Sequence, residues 1–485
     1  MKIPRCMSTQ HPDNVHLPFF AESPDIGGED EIQEAFYAYS HLGCDEQMWD
    51  AEGKEVDGFV VKKLLTKYPD FFKENRLGKD IFLTIRVPNP DEERAEAKVL
   101  VETLESIPRS FDAANLYFND DIAPIFEVIL PMTTSEQGLD RIYNYYHKFV
   151  VGKQNYPTMD GDILISDWVG QFKPHTINVI PLVEDKHHML FSHLLLKAYL
   201  SDKDFEYQRV FFARSDPALN YGLLSAVLVN KIAHQRIHQL SEEISVDLYP
   251  IIGVGSAPFR GNLRPDTVDR VIKEYPSVQT FTLQSAFKYD YPPNVVSKAI
   301  VRLNETPRGK PHFMEEDRCI EIVERYAADY GKQVLELAPL INKVSKFIPK
   351  RRKRKLHIGL FGYCRTVGEH CLPRAIGFTA SLCSMGLPPA LLGLNALTQK
   401  DYDFILTQYI NFEEDLKDAL KYYNPDQPFI PKVIELKLKE LAIDCEMDDD
   451  HKKITDYIID SVRLNKTEDL SSKVLMAANR RRYLG

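Results

Sequence analysis

Two acidic residues stand at the ends of apolar segments that are predicted to be buried strands. Glu184 closes the segment INVIPLVE, and Asp216 closes RVFFARSD. Carboxylates at the ends of two neighbouring strands can share one hard cation while leaving positions for water, which is how proteins usually hold magnesium. We therefore expect a divalent metal site at Glu184 and Asp216, with Mg²⁺ as the metal and Mn²⁺ as the alternative.

Basic and polar side chains follow several other predicted strands. A planar guanidinium binds phosphate and carboxylate groups through two parallel charge-assisted hydrogen bonds, so converging arginines favour a small, multiply anionic substrate. Any single one of these residues can also be an ordinary surface residue, because a chain becomes polar where it leaves a core. In chain order the residues are Arg86, Arg260, Arg264, Gln284, Lys288, Arg365 and Arg374.

Three further segments carry residues that can meet an anionic ligand. His11 lies in the proline-bounded turn TQHPDN and suits either proton transfer near neutral pH or a surface position. The loop GVGSAPFRG, residues 253–261, can offer backbone N–H groups to a phosphate or act as a lid, but it lacks the P-loop pattern. The basic run KRRKRK, residues 350–355, is interpreted as a solvated linker or an anionic-effector site in preference to a nucleic-acid patch.

A scaffold of alternating strands and helices would position these residues. Eight apolar, β-rich segments recur along the chain, and most precede a helical pattern. Near-continuous apolar runs are typical of parallel strands that are covered on both faces. Eight βα units predict an α/β fold, a closed (β/α)8 TIM-type barrel with extensive additional helices; an open doubly wound sheet is the alternative. The segments are residues 81–87, 126–132, 177–184, 209–216, 247–256, 278–285, 356–364 and 388–395.

The remaining chain is predicted to form helical extensions around this barrel. We expect residues 1–80 to form an N-terminal extension that carries His11. The barrel would span residues 81–397, with a helical insertion at about 295–350. Residues 398–485 would form a C-terminal helical extension that completes the site, so the chain would act as one catalytic unit.

The composition excludes several classes of protein. The 485 residues include 60 basic and 71 acidic side chains, for a net charge of −11. This balance argues against general nucleic-acid affinity, because duplex binding needs clustered positive charge. No apolar run approaches the ~18 residues of a membrane span, and the N-terminus lacks a signal-peptide core, so we expect a cytoplasmic protein. Seven separate cysteines without a CxxC pair predict reduced thiols.

The opening MKIPRCMSTQHPDN and several strand-end segments resemble those of archaeal-type phosphoenolpyruvate carboxylases, the short class of that family, and the resemblance covers the whole chain. TQHPDN resembles the family's TAHPT segment, which implies that His11 is a catalytic histidine. PLVED and ARSDPALNYG resemble PLFET and GYSDSAKDAG, which implies that Glu184 and Asp216 are the metal ligands.

The same resemblance implies roles for the arginines. LTIRV is similar to the family's DIRQES strand, which gives Arg86 an anion-binding role. FGYCR and LPRAIGFTASLC resemble GSRP and LRAIPWIFAWTQ, which places Arg365 and Arg374 among the substrate-binding residues. Arg260 fits the second arginine of the family's HGRGGxxGRGG loop. Further substrate-binding residues implied near such motifs are Arg264, Gln284, Lys288 and Arg482.

The chain departs from the family pattern at a few positions. Leu219 stands where longer members have a lysine, so that role would pass to a residue such as Lys288. Ile252 and Val254 stand where the loop's histidine and first arginine would be. Tyr483 replaces the asparagine of the family's C-terminal motif.

The resemblance implies carboxylation of phosphoenolpyruvate by bicarbonate to oxaloacetate and phosphate, through carboxyphosphate and a metal-stabilised enolate of pyruvate. It implies a magnesium-dependent lyase that fixes carbon dioxide for four-carbon acids, a homotetramer that binds neither nucleic acid nor membranes. Two other functions stay open. Another oxo-acid lyase, such as a magnesium-dependent aldolase, would ignore bicarbonate, and a nucleic-acid-associated protein would bind duplex with a steep salt dependence.

Overall fold

A computed structural model of the protein describes residues 2–52, 57–353, 365–367 and 370–485. Eight parallel strands form a closed barrel in which each strand pairs with the next one in sequence, and the first pairs with the eighth. The predicted (β/α)8 TIM-type fold is therefore confirmed. The barrel strands are β1 (Cys6–Ser8), β2 (Glu46–Asp50), β3 (Phe82–Arg86), β4 (Glu127–Leu130), β5 (Asn178–Val183), β6 (Tyr207–Ala213), β7 (Asp247–Gly253) and β8 (Thr280–Leu283).

Helices surround the barrel and continue well beyond it. Two short antiparallel strands, β9 (Arg365–Val367) and β10 (His370–Leu372), form a separate sheet. The helices of the described residues are α1 (Glu29–Tyr37), α2 (Val60–Lys67), α3 (Pro69–Glu74), α4 (Ala97–Phe118), α5 (Glu136–Tyr145), α6 (Ile165–Val169), α7 (Lys186–Leu200), α8 (Ser215–Tyr221), α9 (Leu223–Ile244), α10 (Val268–Glu274), α11 (Ser285–Tyr289), α12 (Pro293–Glu305), α13 (Glu316–Ser345), α14 (Ala375–Ser384), α15 (Gln399–Gln408), α16 (Phe412–Leu420), α17 (Lys432–Leu441), α18 (Asp449–Arg463) and α19 (Leu470–Arg481).

The barrel uses different first and last strands from those predicted. Six predicted strands correspond to β3 through β8, but β1 and β2 lie in the segment predicted to be an N-terminal extension. The strand predicted at residues 388–395 is wrong, because that segment forms the buried 3₁₀ turns Pro389–Leu391 and Leu394–Ala396. The strand predicted at residues 356–364 lies outside the described residues. β1 and β2 escaped prediction because one is only three residues long and the other, EQMWD, is mostly polar.

A buried ion network fills the N-terminal end of the barrel interior. Alternate strands β2, β4, β6 and β8 contribute Glu46, Glu127, Arg209 and Thr280, the layered arrangement expected inside such barrels. The guanidinium of Arg209 lies 2.7 Å from Glu46 Oε2 and 2.9 Å from Glu127 Oε2, and its side chain is fully buried. The charges at this end of the barrel are therefore paired with one another. A ligand site is expected at the opposite, C-terminal end.

Two arginines of the basic run are buried and bonded to other segments of the protein. Arg351 Nη2 donates to the carbonyl oxygen of Val15 at 2.7 Å, and Arg352 lies 2.5 Å from the Glu34 carboxylate. Both arginines are buried. The expectation of a solvated linker is therefore wrong for these two residues, while residues 354–355 lie outside the described part of the chain.

The cysteines are not all reduced. Cys371 is disulfide-bonded, so the prediction of reduced thiols is wrong at this residue. The other cysteines of the described residues are the free thiols Cys6, Cys44, Cys319, Cys383 and Cys445.

Within the described ranges, no single helix is both long and apolar enough to cross a membrane. Helix α14 and residues 389–396 meet the length and composition limits only together, as a pair bent by 90°.

His234 is a buried, neutral histidine whose protonation opposes folding. It lies on α9 between the rings of Phe212 and Tyr275 and is 2% exposed. Burial, with the nearby charge of Lys231, lowers the pKa of His234 to about 3. The unfolded chain binds this proton near pH 6.5, so the stability that the neutral ring contributes is present above about pH 6.5 and is lost as the pH falls toward 3.

Replacing His234 by phenylalanine is expected to weaken the acid sensitivity of folding. When the pH falls from 7.5 to 5.5, the free energy of unfolding of the wild type should decrease by about 1.4 kcal/mol more than that of the variant. This difference arises because in this pH range only the unfolded chain binds a proton at His234. Urea unfolding at the two pH values measures the difference. The exposed His175→Gln is the control and should keep the wild-type pH dependence; a His234→Phe variant with that same dependence contradicts the prediction.

Candidate active site

Glu184 and Asp216 come together at the C-terminal end of the barrel. Glu184 follows β5 directly, and Asp216 lies in the first turn of α8, after the neighbouring strand β6. Both side chains are half-buried. Burial, and then the negative charges of Asp216 and Glu52, raises the pKa of Glu184 to about 8. The two residues predicted to bind a metal therefore share a region of low dielectric with a third carboxylate, where a positive charge is favoured.

The donor chemistry of this region fits a divalent cation. Magnesium usually binds through one or two carboxylates and keeps its other positions for water or substrate oxygens. Within the described residues, no group of three or more histidine, cysteine, aspartate or glutamate side chains is arranged to hold a metal ion. A cation here would therefore rest on Glu184 and Asp216, with several positions open to small ligands.

Arg86, the last residue of β3, is held beside these carboxylates by the end of β2. Its Nε and Nη2 atoms donate to the two carboxylate oxygens of Asp50, each at 2.7 Å, and Nη2 lies 3.0 Å from Glu52 Oε2. The positive charge of Arg86 partly offsets the rise in the pKa of Glu184. Arg86 therefore lies at the predicted site, and two carboxylates fix the orientation of its guanidinium.

The guanidinium of Arg260 connects four separate segments of the chain. Its Nε donates to Ser215 Oγ at 3.1 Å, and its Nη2 donates to Gln284 Oε1 at 2.5 Å. Its Nη1 donates to the carbonyl oxygen of Gly485 at 2.5 Å and to Asp13 Oδ2 at 3.4 Å. Arg260 is 2% exposed. The buried side chain of Arg260 thus links four parts of the chain. These are Ser215 before Asp216, Gln284 after β8, Asp13 in the N-terminal turn and Gly485 at the C-terminal end.

The turn that carries His11 follows β1 and is fixed by the carboxylate of Asp13. Asp13 Oδ1 accepts from the backbone N–H of Ala286 at 2.7 Å, and Oδ2 accepts from that of Ser256 at 3.4 Å. The His11 ring bonds through Nδ1 to Thr9 Oγ1 at 3.0 Å. Because β1 ends at the same barrel mouth as its neighbours, His11 stands at the end that holds the carboxylate pair.

The C-terminal residues pack into the same region. The backbone N–H of Leu484 donates to the carbonyl oxygen of Asp13 at 2.7 Å. A Cβ atom on Gly485 would lie 2.2 Å from the carbonyl oxygen of Ile376 and 2.6 Å from the nitrogen of Ala380. These are backbone atoms of the α14 region and cannot move aside, so only glycine fits at position 485.

Two further arginines come from the segment around β9 and α14. Arg374 directly precedes α14 and is half-buried. Its positive charge offsets part of the rise in the pKa of Glu184, so it lies near that carboxylate. Arg365 begins β9, and its side chain lies outside the described part of the structure.

Three of the residues predicted to bind substrate are engaged elsewhere. Arg264 lies 2.9 Å from the carboxylate of Asp418. Lys288 is buried and lies 2.9 Å from Glu34 Oε1. Arg482 is exposed at the turn that ends α19. In this structure the first two are thus paired with carboxylates of the protein, and the third is exposed.

The glycine-rich loop after β7 supports the guanidinium of Arg260. A Cβ atom on Gly255 would lie 2.9 Å from Arg260 Cζ, so only glycine lets the backbone pass this close to the guanidinium. Gly261 has a φ of +121°, and a Cβ there would lie 2.6 Å from Val254 Cγ1. Residues 254–260 are buried. The loop is thus a packed support in this structure.

Sequence reasoning missed several residues that shape the site. Asp50 is the last residue of β2, and Glu52 follows shortly after it, much as Glu184 follows β5. Both carboxylates would have been candidate site residues if the sequence had predicted β2 as a strand. Asp13 is part of the polar turn already noted for its histidine. Nothing in the local sequence marks Ser215 as a partner of a distant arginine.

The chain is similar in sequence to known proteins along its whole length. Residues 3–485 match the family described as phosphoenolpyruvate carboxylase. A protein of Methanothermobacter thermautotrophicus named phosphoenolpyruvate carboxylase is 54% identical over 485 residues, covering 100% of both chains. One of Pyrococcus furiosus is 56% identical and covers 91% of this chain and 92% of its own. One of Halobacterium salinarum is 48% identical and covers 100% of this chain and 99% of its own.

Among solved structures, a malate synthase of Haloferax volcanii aligns over 90% of this chain and 97% of its own. The TM-score is 0.39 and the identity is 8%, values too low to support any argument.

Proposed function

This chain belongs to the phosphoenolpyruvate carboxylase family, and from that membership we propose that it joins bicarbonate to phosphoenolpyruvate, giving oxaloacetate and phosphate. It is a carbon–carbon lyase of the carboxylase type, since curated relatives of that name match its whole length. The observation that carries the proposal is the gathering of Glu184, Asp216, Arg260 and the His11 turn at one end of the barrel.

The reaction would begin with attack of a bicarbonate oxygen on the phosphorus of phosphoenolpyruvate. A new P–O bond to bicarbonate forms and the P–O bond to the enol oxygen breaks, which yields carboxyphosphate and the enolate of pyruvate. Phosphoryl transfer depends mainly on positioning and charge stabilisation, so Arg260, Arg365 and Arg374 would hold the oxygens of the moving group. A divalent cation on Glu184 and Asp216, Mg²⁺ or Mn²⁺, would supply Lewis acidity at the enolate oxygen.

His11 would move the proton in the second step. It takes the proton of the carboxyl group of carboxyphosphate and passes it to the departing phosphate, which releases carbon dioxide beside the enolate. The enolate carbon then forms the new carbon–carbon bond of oxaloacetate. Water that reached the enolate would protonate it to pyruvate, and the buried packing of Arg260 and Asp13 limits such access.

The quaternary and cellular setting is proposed from the family and the composition. The chain would act as one catalytic unit, with its N-terminal, barrel and C-terminal parts all contributing residues. It would assemble as a homotetramer in the cytoplasm, without nucleic-acid or membrane partners. Its oxaloacetate would replenish four-carbon acids.

A coupled assay tests the proposal. Purified protein is mixed with phosphoenolpyruvate, Mg²⁺, NADH and malate dehydrogenase, with bicarbonate either present or removed. We expect equal amounts of oxaloacetate and phosphate, formed only when bicarbonate is present, lost with a chelator and restored by Mg²⁺ or Mn²⁺. Turnover that ignores bicarbonate would instead indicate another oxo-acid lyase.

Replacing Gly485 by alanine is expected to lower kcat about 10- to 100-fold, because the added Cβ must push the residue away from Arg260 and misplaced groups cost rate steeply. Gly331→Ala is the matched control, since a Cβ at that helical position of α13 meets no atom within 4 Å and should leave activity unchanged. Steady-state kinetics of both variants, with circular dichroism to confirm folding, make the comparison. Wild-type kcat in Gly485→Ala would refute the role of this contact.

A further inference from the structure

The hydroxyl group of Thr9 contacts the His11 ring. Thr9 is fully buried, so water does not compete for its hydroxyl group. Its Oγ1 donates to the carbonyl oxygen of Leu283 at 3.4 Å. The same hydroxyl lies 3.0 Å from His11 Nδ1. The ring nitrogen is the nearer of these two partners, so the hydroxyl group holds the ring at Nδ1, as donor or acceptor according to the ring's tautomer.

A hydrogen bond at Nδ1 fixes the orientation of the imidazole ring. The two ring nitrogens lie on different edges of the ring, so a ring held at Nδ1 turns Nε2 away from Thr9. His11 would therefore meet substrate through Nε2.

A buried ammonium group holds Thr9 in turn. Lys288 Nζ donates to the carbonyl oxygen of Thr9, to Ser8 Oγ and to Glu34 Oε1, each at 2.9 Å. These three bonds use all three protons of the ammonium group, and the side chain is fully buried. Lys288 therefore has no proton left to offer a substrate.

Glu34, the carboxylate that pairs with Lys288, is ionised. Glu34 also accepts two bonds from Arg352 and one from Tyr289 Oη at 2.7 Å. Burial by itself would raise the pKa of Glu34, but the charges of Arg352 and Lys288 outweigh it and hold the pKa at about 2. Burial lowers the pKa of Lys288, and the charge of Glu34 opposes that shift. The geometry of the pair therefore fixes the ammonium group beside Thr9.

We propose that Thr9 and Lys288 are positioning residues for His11: the Thr9 hydroxyl fixes the orientation of the ring, and Lys288, paired with Glu34, fixes Thr9. The inference rests on the proposed function, because it assumes that His11 transfers a proton. It moves Lys288 from substrate binding to support of the His11 turn. Both residues would act through the histidine, because Thr9 contacts its ring and Lys288 contacts Thr9.

Thr9→Val and Thr9→Ser separate the hydroxyl from the packing of the side chain. Valine keeps the shape of the side chain and removes the hydroxyl group, so kcat is expected to fall at least ~10-fold while the KM for phosphoenolpyruvate changes less than ~3-fold. Serine restores the hydroxyl group and should recover kcat to within ~3-fold of the wild type. The exposed Thr66→Val on α2 is the matched control and should leave both constants unchanged.

Lys288→Met tests whether the two residues act through the same group. The kcat of Lys288→Met is expected to fall at least ~10-fold. The kcat of the Thr9→Val/Lys288→Met double variant should be at most ~3-fold below that of the less active single variant, because the effects of coupled residues are not additive. Thermal melting monitored by circular dichroism confirms that each variant is folded. Multiplied losses in the double variant would overturn the proposed coupling.

The remaining outcomes distinguish failure of this inference from failure of the proposed function. A wild type that forms no oxaloacetate from phosphoenolpyruvate and bicarbonate refutes the function. An active wild type whose Thr9→Val variant keeps full kcat refutes the positioning role. Equal losses in Thr9→Val and Thr9→Ser also refute it, because they would show that the methyl group rather than the hydroxyl matters.

Discussion

Replacing Asp216 by asparagine is expected to lower kcat/KM for oxaloacetate formation at least ~10³-fold while the protein stays folded. Asparagine keeps the shape of the aspartate side chain and one of its oxygen atoms. The substitution removes the negative charge that Asp216 would offer to a cation beside Glu184. Asp216 is half-buried beside Glu184, where the local dielectric is low. Its negative charge therefore interacts more strongly with a cation than it would in water. The coupled assay, run over a series of Mg²⁺ and Mn²⁺ concentrations, measures the loss and any shift in metal activation.

Asp317→Asn is the matched control for this change. Like Asp216, Asp317 lies in the first turn of a helix, but it is exposed on α13. Both substitutions remove a carboxylate that favours the helix N-terminus, a contribution of about 0.3–1 kcal/mol. Only Asp216→Asn should lose activity. Wild-type turnover with unchanged metal activation in Asp216→Asn would rule out its assignment as a metal ligand.

Replacing Arg260 by lysine is expected to damage both catalysis and stability. An ammonium group on a flexible stem cannot span the positions of Ser215, Asp13, Gln284 and Gly485 that the planar guanidinium reaches. The Asp13 carboxylate would be left without a close buried counter-charge, so the free energy of unfolding should fall by about 3–5 kcal/mol. We expect kcat to fall ~10²-fold or more, because the phosphoryl-binding charge is displaced as well.

Arg302→Lys is the control for the second prediction. Arg302 is exposed on α12 and donates to Asp269 at 2.7 Å, and such surface pairs contribute about 0–1 kcal/mol. Its replacement should change neither kcat nor the urea midpoint measurably. Unfolding curves and steady-state kinetics of both variants decide the matter. An Arg260→Lys variant with wild-type kcat would show that this guanidinium does not act on the moving phosphoryl group.

The carboxylate pair illustrates what local sequence can predict about a site. Glu184 and Asp216 each follow an apolar strand, and parallel strands of a barrel present their ends at one mouth. Their meeting therefore follows once the fold class is right. The same logic failed for Asp50 and Glu52, because β2 is polar where it lines the barrel interior and shows no apolar run.

The basic residues show the opposite case. A positive charge after a strand can face a ligand, the solvent or a buried carboxylate, and the local sequence looks the same in each case. Arg260 reaches the site, whereas Lys288 is neutralised by Glu34, 254 positions away in the sequence. Arg352, in a run that reads as a solvated linker, is neutralised by the same carboxylate across 318 positions.

The amino-acid sequence by itself determined the barrel class, six of its strands and the residue types at their ends, because these depend on local hydrophobic patterns and on neighbouring positions. Only the tertiary structure decided which charges pair, which residues lie next to His11, and that Gly485 joins Arg260 across 225 positions. Such pairings depend on which distant segments the fold brings together in a buried region. There each charge requires a partner, and the sequence around a charge does not say where that partner lies.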